Sequence, residues 1–316
     1  MTEATANTNS DAAADGPVVI VGGSGFLGRG LARSLMTQGV KVIVVSRSRP
    51  QFEPSQWQAW DGESVGPWAA ALDGAAAVVN VVGRSVDCRK TPEQRDEILR
   101  SRLNSVKLIG DAIRSCERPP DAWVQAASTH IYGDPAETCC DENTWFGEGF
   151  APHVCTRWEA AYEAAKPAEV RGVTLRISFV LGRDGGPLAR LARLARRGLG
   201  GRLGSGKQWM SWIHQQDLNR IFEAAIRQPS MQGIYNATSP EPVRNEAFMA
   251  SLRRALGRPW SPPVPETLVR LGARWVMNTD PELALCGRRC IPTRLTDEGF
   301  KFNFLNLDAA LSDLLQ

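Results

Sequence analysis

The chain has 316 residues, 43% hydrophobic, 22% charged and 7% aromatic, which excludes collagen-like, coiled-coil and wholly disordered classes. Its 37 basic and 34 acidic residues nearly cancel to +3, a balance that speaks weakly against a nucleic-acid partner. A single α/β core needs roughly 150–200 residues, so the chain carries a surplus that must form a second region.

No apolar run approaches the roughly 18 residues of a membrane span. The best candidate, AAALDGAAAVVNVVG, is broken by Asp73, Gly74 and Asn80, so no membrane partner is expected. Seven cysteines, two of them the adjacent Cys139 and Cys140, do not form a secreted disulfide framework. The cytoplasm is the expected compartment. Cys286 and Cys290 stand four apart without a histidine or further cysteine nearby, so no metal site is expected.

In chain order, residues 1–16 (MTEATANTNSDAAADG) are small, polar and aperiodic, with neither a basic n-region nor an apolar h-region, and read as a disordered tail. PVVIVGG is a short β-branched run ended by glycines, a buried strand. GFLGRGLARSLMTQG follows with Leu27, Leu31, Leu35 and Met36 at helical spacing. KVIVVSR and AAAVVNVVG are further strands, then comes a helix through LRSRLNSVKLIGDAIRSC, the strand AWVQAAS, a helix from about Pro152 to Lys166, and the strand GVTLRISFVLG. Strands alternating with helices imply an α/β fold built on a doubly wound parallel sheet. After Leu181 the chain turns glycine- and arginine-rich, and after Asn236 it is punctuated by prolines.

GGSGFLG places Gly22, Gly25 and Gly28 at three-residue intervals between the first strand and its helix. Glycine there permits a tight turn, close approach to a pyrophosphate and close helix–strand packing, while the helix N-terminus supplies unpaired N–H groups. In this strand–turn–helix context the motif predicts dinucleotide binding on a Rossmann sheet. The second strand ends in Ser46 and Arg47, with no acid in SRSR. A carboxylate would bind the ribose hydroxyls of NAD, whereas an arginine pairs with a 2′-phosphate, so NADP(H) is favoured over NAD(H). The expected organisation is a core over 17–181 with a returning segment at about 208–238. Residues 182–207 and 239–316 form a smaller C-terminal substrate-covering region.

GGSGFLG, the strand-end SR, VVNVVG, AASTHIYG and LRISFVLG occur in the order of extended short-chain dehydrogenases/reductases of the epimerase/dehydratase branch, which the chain resembles. LGSGKQWMSWIHQQDL, YNATSPEPVRNEAF and GRRCIPTRLTDEGFKF resemble an atypical subgroup of epimerase-family proteins with its own C-terminal domain. The resemblance implies that Gly22, Ser24, Gly25, Phe26, Leu27 and Gly28 hold the pyrophosphate and that Ser46 and Arg47 hold the adenosine end. It places Asp61 near the adenine, Val81 and Gly83 along the cofactor, and Ser128, four residues before Tyr132, as the active-site hydroxyl.

The superfamily's Tyr-x-x-x-Lys pair needs its tyrosine near a helix start, where an ammonium stabilises the phenolate. Tyr162 and Lys166 have the spacing, but Tyr162 lies some three turns into its helix and Pro167 follows Lys166. They are read as a decoy. At the expected place stands APHVCTRWEAA. One register puts His153 and Arg157 at the two positions, where an imidazole relays a proton and a guanidinium holds the ribose. Sliding by two gives Cys155 and Glu159, which lack a cation, and His153 is also readable as a helix-start residue without catalytic duty.

KQWMSWIH, with Tyr132 from AASTHIYG, supplies the candidate substrate contacts Tyr132, Gln208, Trp209 and His214. Its bland reading is a tryptophan-rich core plug with His214 bonded to Asp217. Arg190, Arg193 and Arg197 share a helical face, either solvated or a clamp for a nucleotide-linked substrate. The expected function is an NADP(H)-dependent oxidoreductase or epimerase-like enzyme acting on a small polar metabolite, with Ser128, His153 and Arg157 as its catalytic candidates. The rival is a catalytically silent NADP(H)-binding sensor or scaffold, and a homodimer is compatible with either.

Overall fold

The computed structural model describes residues 16–258, 260–275 and 277–316. The tail expected over residues 1–16 therefore lies, Gly16 apart, outside the described residues. Seven strands form one sheet: Val18–Val21 (β1), Val42–Ser46 (β2), Gln56–Ala59 (β3), Ala77–Asn80 (β4), Ala122–Ser128 (β5), Arg171–Ile177 (β6) and Gly233–Ala237 (β7). All are parallel, in the order β3-β2-β1-β4-β5-β6-β7. The runs VVIV, VIVVS and AVVN are buried along their whole length, as strands covered on both faces must be.

Phe26–Thr37 (α1), Pro92–Arg114 (α2), Phe150–Ala165 (α3) and Gln215–Arg227 (here named α5, after Gly186–Arg196 as α4) cover the sheet. α1 packs on α5 and α2 packs on α3. The chain order reverses between β1 and β4. Right-handed crossovers then send helices to opposite faces and open a crevice above the carboxyl ends of those two strands.

Asn245–Ala255 (α6), Glu266–Trp275 (α7) and Leu307–Leu315 (α8) belong to the C-terminal part. Leu188 and Ala192 of α4, Phe248 and Leu252 of α6, and Leu311 of α8 join Trp212 in a second apolar cluster. Phe179–Leu181 pairs with Trp212–His214 within the core, while the ladders of Trp209–Met210 with Val243–Arg244 and of Cys139–Cys140 with Arg289–Cys290 bind the C-terminal part to it. Buried Asp217 accepts from the backbone N–H groups of Asn303 and Phe304 at 2.8 and 2.9 Å, fixing the approach to α8. Among the described residues no helix is long and apolar enough to cross a membrane.

Candidate cofactor and reaction site

The glycine turn leaves β1 through Gly22, whose φ of +87° favours a residue without a side chain. Its N–H donates to Val45 O at 2.8 Å and its carbonyl accepts from Gly25 at 3.1 Å. A Cβ on Gly28 would stand 2.5 Å from Gly23 Cα and 2.9 Å from Gly22 O, so α1 presses directly on the turn. Gly25 caps α1 without a side-chain hydrogen bond. The free N–H groups and the positive end of the helix dipole therefore face the crevice. The side chains of Phe26 and Leu27 pack on the core, so these residues offer the crevice only backbone. The Phe26 ring also fills the space beside Gly182, Gly185 and Gly186. Ser24 makes no side-chain hydrogen bond among the described residues.

At the end of β2 the two candidates divide. Ser46 is buried, donating to Ser48 O at 2.8 Å and accepting from Trp57 Nε1 at 3.1 Å, so its hydroxyl is committed inside the protein. Arg47 is exposed and has no ion-pair or hydrogen-bond partner among the described residues. Asp61 is occupied by its own turn. Its carboxylate accepts from the Ser64 hydroxyl and from the N–H groups of Glu63 and Ser64, which hold its pKa down to about 2. The carboxylate stays exposed, so its remaining acceptor capacity on Oδ2 faces solvent.

β4 ends in Asn80, fully buried, whose amide donates to Gln125 Oε1 at 3.0 Å and whose carbonyl accepts from Val82 N–H at 3.0 Å. Val81 N–H donates to Val21 O at 3.0 Å, which ties the far wall of the crevice to β1. Gly83 lies against Arg102, and a Cβ there would sit 3.1 Å from the guanidinium carbon. The glycine turn, Val81, Gly83 and Arg47 thus fit a dinucleotide laid across the crevice.

Ser128 closes β5 and caps the following turn, Thr129–Tyr132. Its Oγ lies 2.9 Å from His130 Nδ1. Arg288 and burial, followed by Arg102 and Lys90, hold the imidazole pKa well below its ordinary value, so the ring is neutral. The sequence reading passed over His130, although it stands two residues from Ser128 in AASTHIYG.

The inward register of α3 is Cys155 and Glu159. Cys155 is buried and His153 and Arg157 are exposed. A two-residue slip turns a helix by about 200°, so His153 and Arg157 point away from Ser128. Their assignment as catalytic residues is corrected. Burial pushes the Cys155 thiol up to about 12, so it is neither a thiolate nor a useful acid at neutral pH. Glu159 receives both arms of Arg176, at 2.9 and 2.8 Å. Tyr162 is buried and donates to Trp123 O at 2.8 Å. Trp123 lies five residues before Ser128 on β5, roughly 16 Å along the strand. Tyr162 is thus held in the core, away from the end of β5 that carries Ser128.

The predicted substrate contacts all have partners within the protein. Tyr132 is buried, donates to Asn236 Oδ1 at 2.8 Å and accepts from Arg176 at 2.9 Å. Gln208 donates to the carbonyls of Leu203 and Ala284. Trp209 packs against Arg244 and Arg289, with guanidinium carbons 3.8 and 4.9 Å from its ring centroid. His214 is buried, caps α5 through Nδ1 and stacks on Phe304 at 3.8 Å. Its Nε2 stands 3.3 Å from Asp313 without hydrogen-bond geometry, while Asp217 serves the C-terminal backbone instead. Arg190 pairs with Asp87 at 2.6 Å, and Arg193 and Arg197 are exposed.

With this geometry in place, residues 18–238 match the model of the NAD dependent epimerase/dehydratase family, and residues 264–314 match DUF1731, a domain of unknown function. The chain belongs to that family. An Arabidopsis thaliana relative, "Epimerase family protein SDR39U1 homolog, chloroplastic", is 33% identical over 95% of this chain and 86% of its own. The human epimerase family protein SDR39U1 is 32% identical over 94% of this chain and 99% of its own. A crystal structure of human SDR39U1 (isoform 2) with NADPH matches at a TM-score of 0.85 and 31% identity, covering 95% of this chain and 99% of that one. A nucleoside-diphosphate sugar epimerase from Corynebacterium glutamicum matches at 0.75 and 28%, covering 95% of this chain and 58% of that one. The family and its Rossmann-like sheet, expected from the motifs, are thereby established for this chain.

Proposed function

We propose that the protein binds NADP(H) in preference to NAD(H) and transfers hydride to or from a small polar metabolite at Ser128 and His130. The observation that carries this reading is a neutral imidazole 2.9 Å from the Ser128 hydroxyl. NADP(H), when bound, supplies or accepts the hydride. The free α1 N–H groups would hold its pyrophosphate, and Arg47 would hold the 2′-phosphate. The NADPH in the human relative's structure supports this choice of cofactor. Ser128 orients the substrate oxygen and passes its proton to or from His130 Nδ1. The exposed His153 and Arg157 have no part in this relay.

Arg47→Ala is expected to weaken NADPH binding by about 10–100-fold while leaving NADH affinity unchanged. Quenching of tryptophan fluorescence measures both, and equal losses for the two nucleotides would remove the phosphate argument. Ser128→Ala and His130→Ala are each expected to lower NADPH turnover by about a hundred- to ten-thousandfold in a screen of carbonyl metabolites.

The missing Tyr–Lys pair favours a second reading, a silent NADP(H)-binding sensor or scaffold. It predicts tight NADPH binding with no turnover on any carbonyl compound, an outcome that the same screen reads directly.

A further inference from the structure

Arg288 arrives at the reaction site from the C-terminal region. Gly287 makes the approach possible, since a Cβ there would stand 2.4 Å from Trp209 O. Arg288 N–H donates to that same carbonyl at 3.1 Å, and its own carbonyl accepts from Ser211 Oγ at 2.9 Å. The side chain then reaches the turn that carries His130. Its Nε donates to Gly133 O at 2.9 Å, and Gly133 N–H donates to His130 O at 3.1 Å.

The two terminal nitrogens of Arg288 have no hydrogen-bond partner among the described residues, and no described carboxylate lies within ion-pairing distance. Asp134 acts on it only through its field. Arg102 is in a similar condition. It donates to the carbonyls of Arg84 and Ile98, lies 5.0 Å over the Trp158 ring and backs onto Gly83. Three other cations, by contrast, have carboxylate partners. Arg176 has Glu159 at 2.8 Å, Arg190 has Asp87 at 2.6 Å, and Lys90 has Asp280 at 3.8 Å. Two guanidiniums without counter-charge beside a neutral imidazole form a half-built ion pair, and a bound anion would complete it.

We propose that the reaction site takes a substrate with an anionic group, carboxylate or phosphate, next to its reacting oxygen, and that Arg288, assisted by Arg102, holds that group. The inference rests on Ser128 and His130 being the reacting pair. A guanidinium fork engages two oxygens of a planar or tetrahedral anion at once, which fixes both the position and the direction of the neighbouring C–O bond. Arg288 is then a substrate-specificity residue supplied by the C-terminal domain.

The test is a calorimetric titration of the NADP+-saturated protein with oxalate in one arm and inorganic phosphate in the other. Wild-type protein is expected to bind at least one of them, and the preferred arm separates carboxylate from phosphate recognition. Arg288→Ala is expected to weaken that binding at least tenfold, whereas Arg193→Ala, at an exposed position of α4, leaves it unchanged. Arg288→Gln keeps a donor for the Gly133 carbonyl without the charge and is expected to show the same loss, with an unaltered thermal midpoint. Binding retained in Arg288→Gln, or absent from the wild type in both arms, overturns the proposal. Should NADP+ itself fail to bind, the cofactor reading is at fault, and the same titrations without nucleotide still test Arg288. Failure of Ser128 and His130 appears separately, in turnover.

Discussion

Replacing Arg176 by methionine is expected to destabilise the protein by about 3–5 kcal/mol, the cost of leaving one buried charge without its partner. Arg176 is 1% exposed and holds Glu159 with two hydrogen bonds. A third bond goes to the Tyr132 hydroxyl, which itself donates to Asn236. Asn236 in turn donates to the carbonyls of Ile291 and Cys140. One substitution therefore strips a carboxylate of its counter-charge and loosens the staple between β7 and the C-terminal region. For a chain of this size the loss corresponds to a fall of roughly 10 °C in the thermal midpoint. Differential scanning calorimetry measures it, and a fall below about 2 °C would sink the account. The double variant Arg176→Met/Glu159→Leu should recover part of the loss, because no unpaired charge then remains buried.

Gly28→Ala is the second large effect, and here two contributions oppose each other. Alanine is favoured over glycine inside a helix by about 1 kcal/mol. Against that gain, the new methyl would meet Gly23 Cα at 2.5 Å and Gly22 O at 2.9 Å, and both are backbone atoms unable to rotate aside. Overpacking of this kind costs about 1–3 kcal/mol, and relief must come from displacing the turn itself. The expected result is a modest net loss of stability, with NADPH affinity reduced by about tenfold or more, because the displaced turn leads into the N–H groups proposed to hold the pyrophosphate. Gly272→Ala in α7 is the control. A Cβ at Gly272 meets nothing within 4 Å, so only the helix preference remains and stability should rise slightly. Unchanged NADPH affinity in Gly28→Ala would mean that the turn does not hold the nucleotide.

The sheet and the glycine turn were legible because their signals are local. Β-branched runs read as buried strands wherever they occur, and three glycines at fixed spacing describe one turn. The reaction site was harder to read because its geometry is assembled from distant segments. His130 and Arg288 meet only after the C-terminal chain has folded back across Trp209, and no periodicity encodes that encounter. Arg176, Tyr132 and Asn236 similarly form a network that three separate strands and turns must close.

The error in α3 had a readable remedy. Pro152, Cys155, Trp158 and Tyr162, buried together with Val154, are spaced three or four apart, and that stripe turns His153 and Arg157 outward. The preference for His153 came from the chemistry an imidazole could perform, not from the face it would occupy. Gln208, Trp209 and His214 misled for a related reason. Gln208 instead donates to backbone carbonyls, Trp209 carries guanidiniums against its ring, and His214 caps a helix.

The short ladders between Cys139–Cys140 and Arg289–Cys290, and between Trp209–Met210 and Val243–Arg244, bear on modularity. Although two family models divide the sequence, the hydrogen bonds do not respect that division. Severing the chain between them would bare strand edges on both products, the unpaired backbone that invites self-association. The covering region is thus not a removable accessory. A graft of this domain onto another Rossmann core would have to carry the partner strands of both ladders with it.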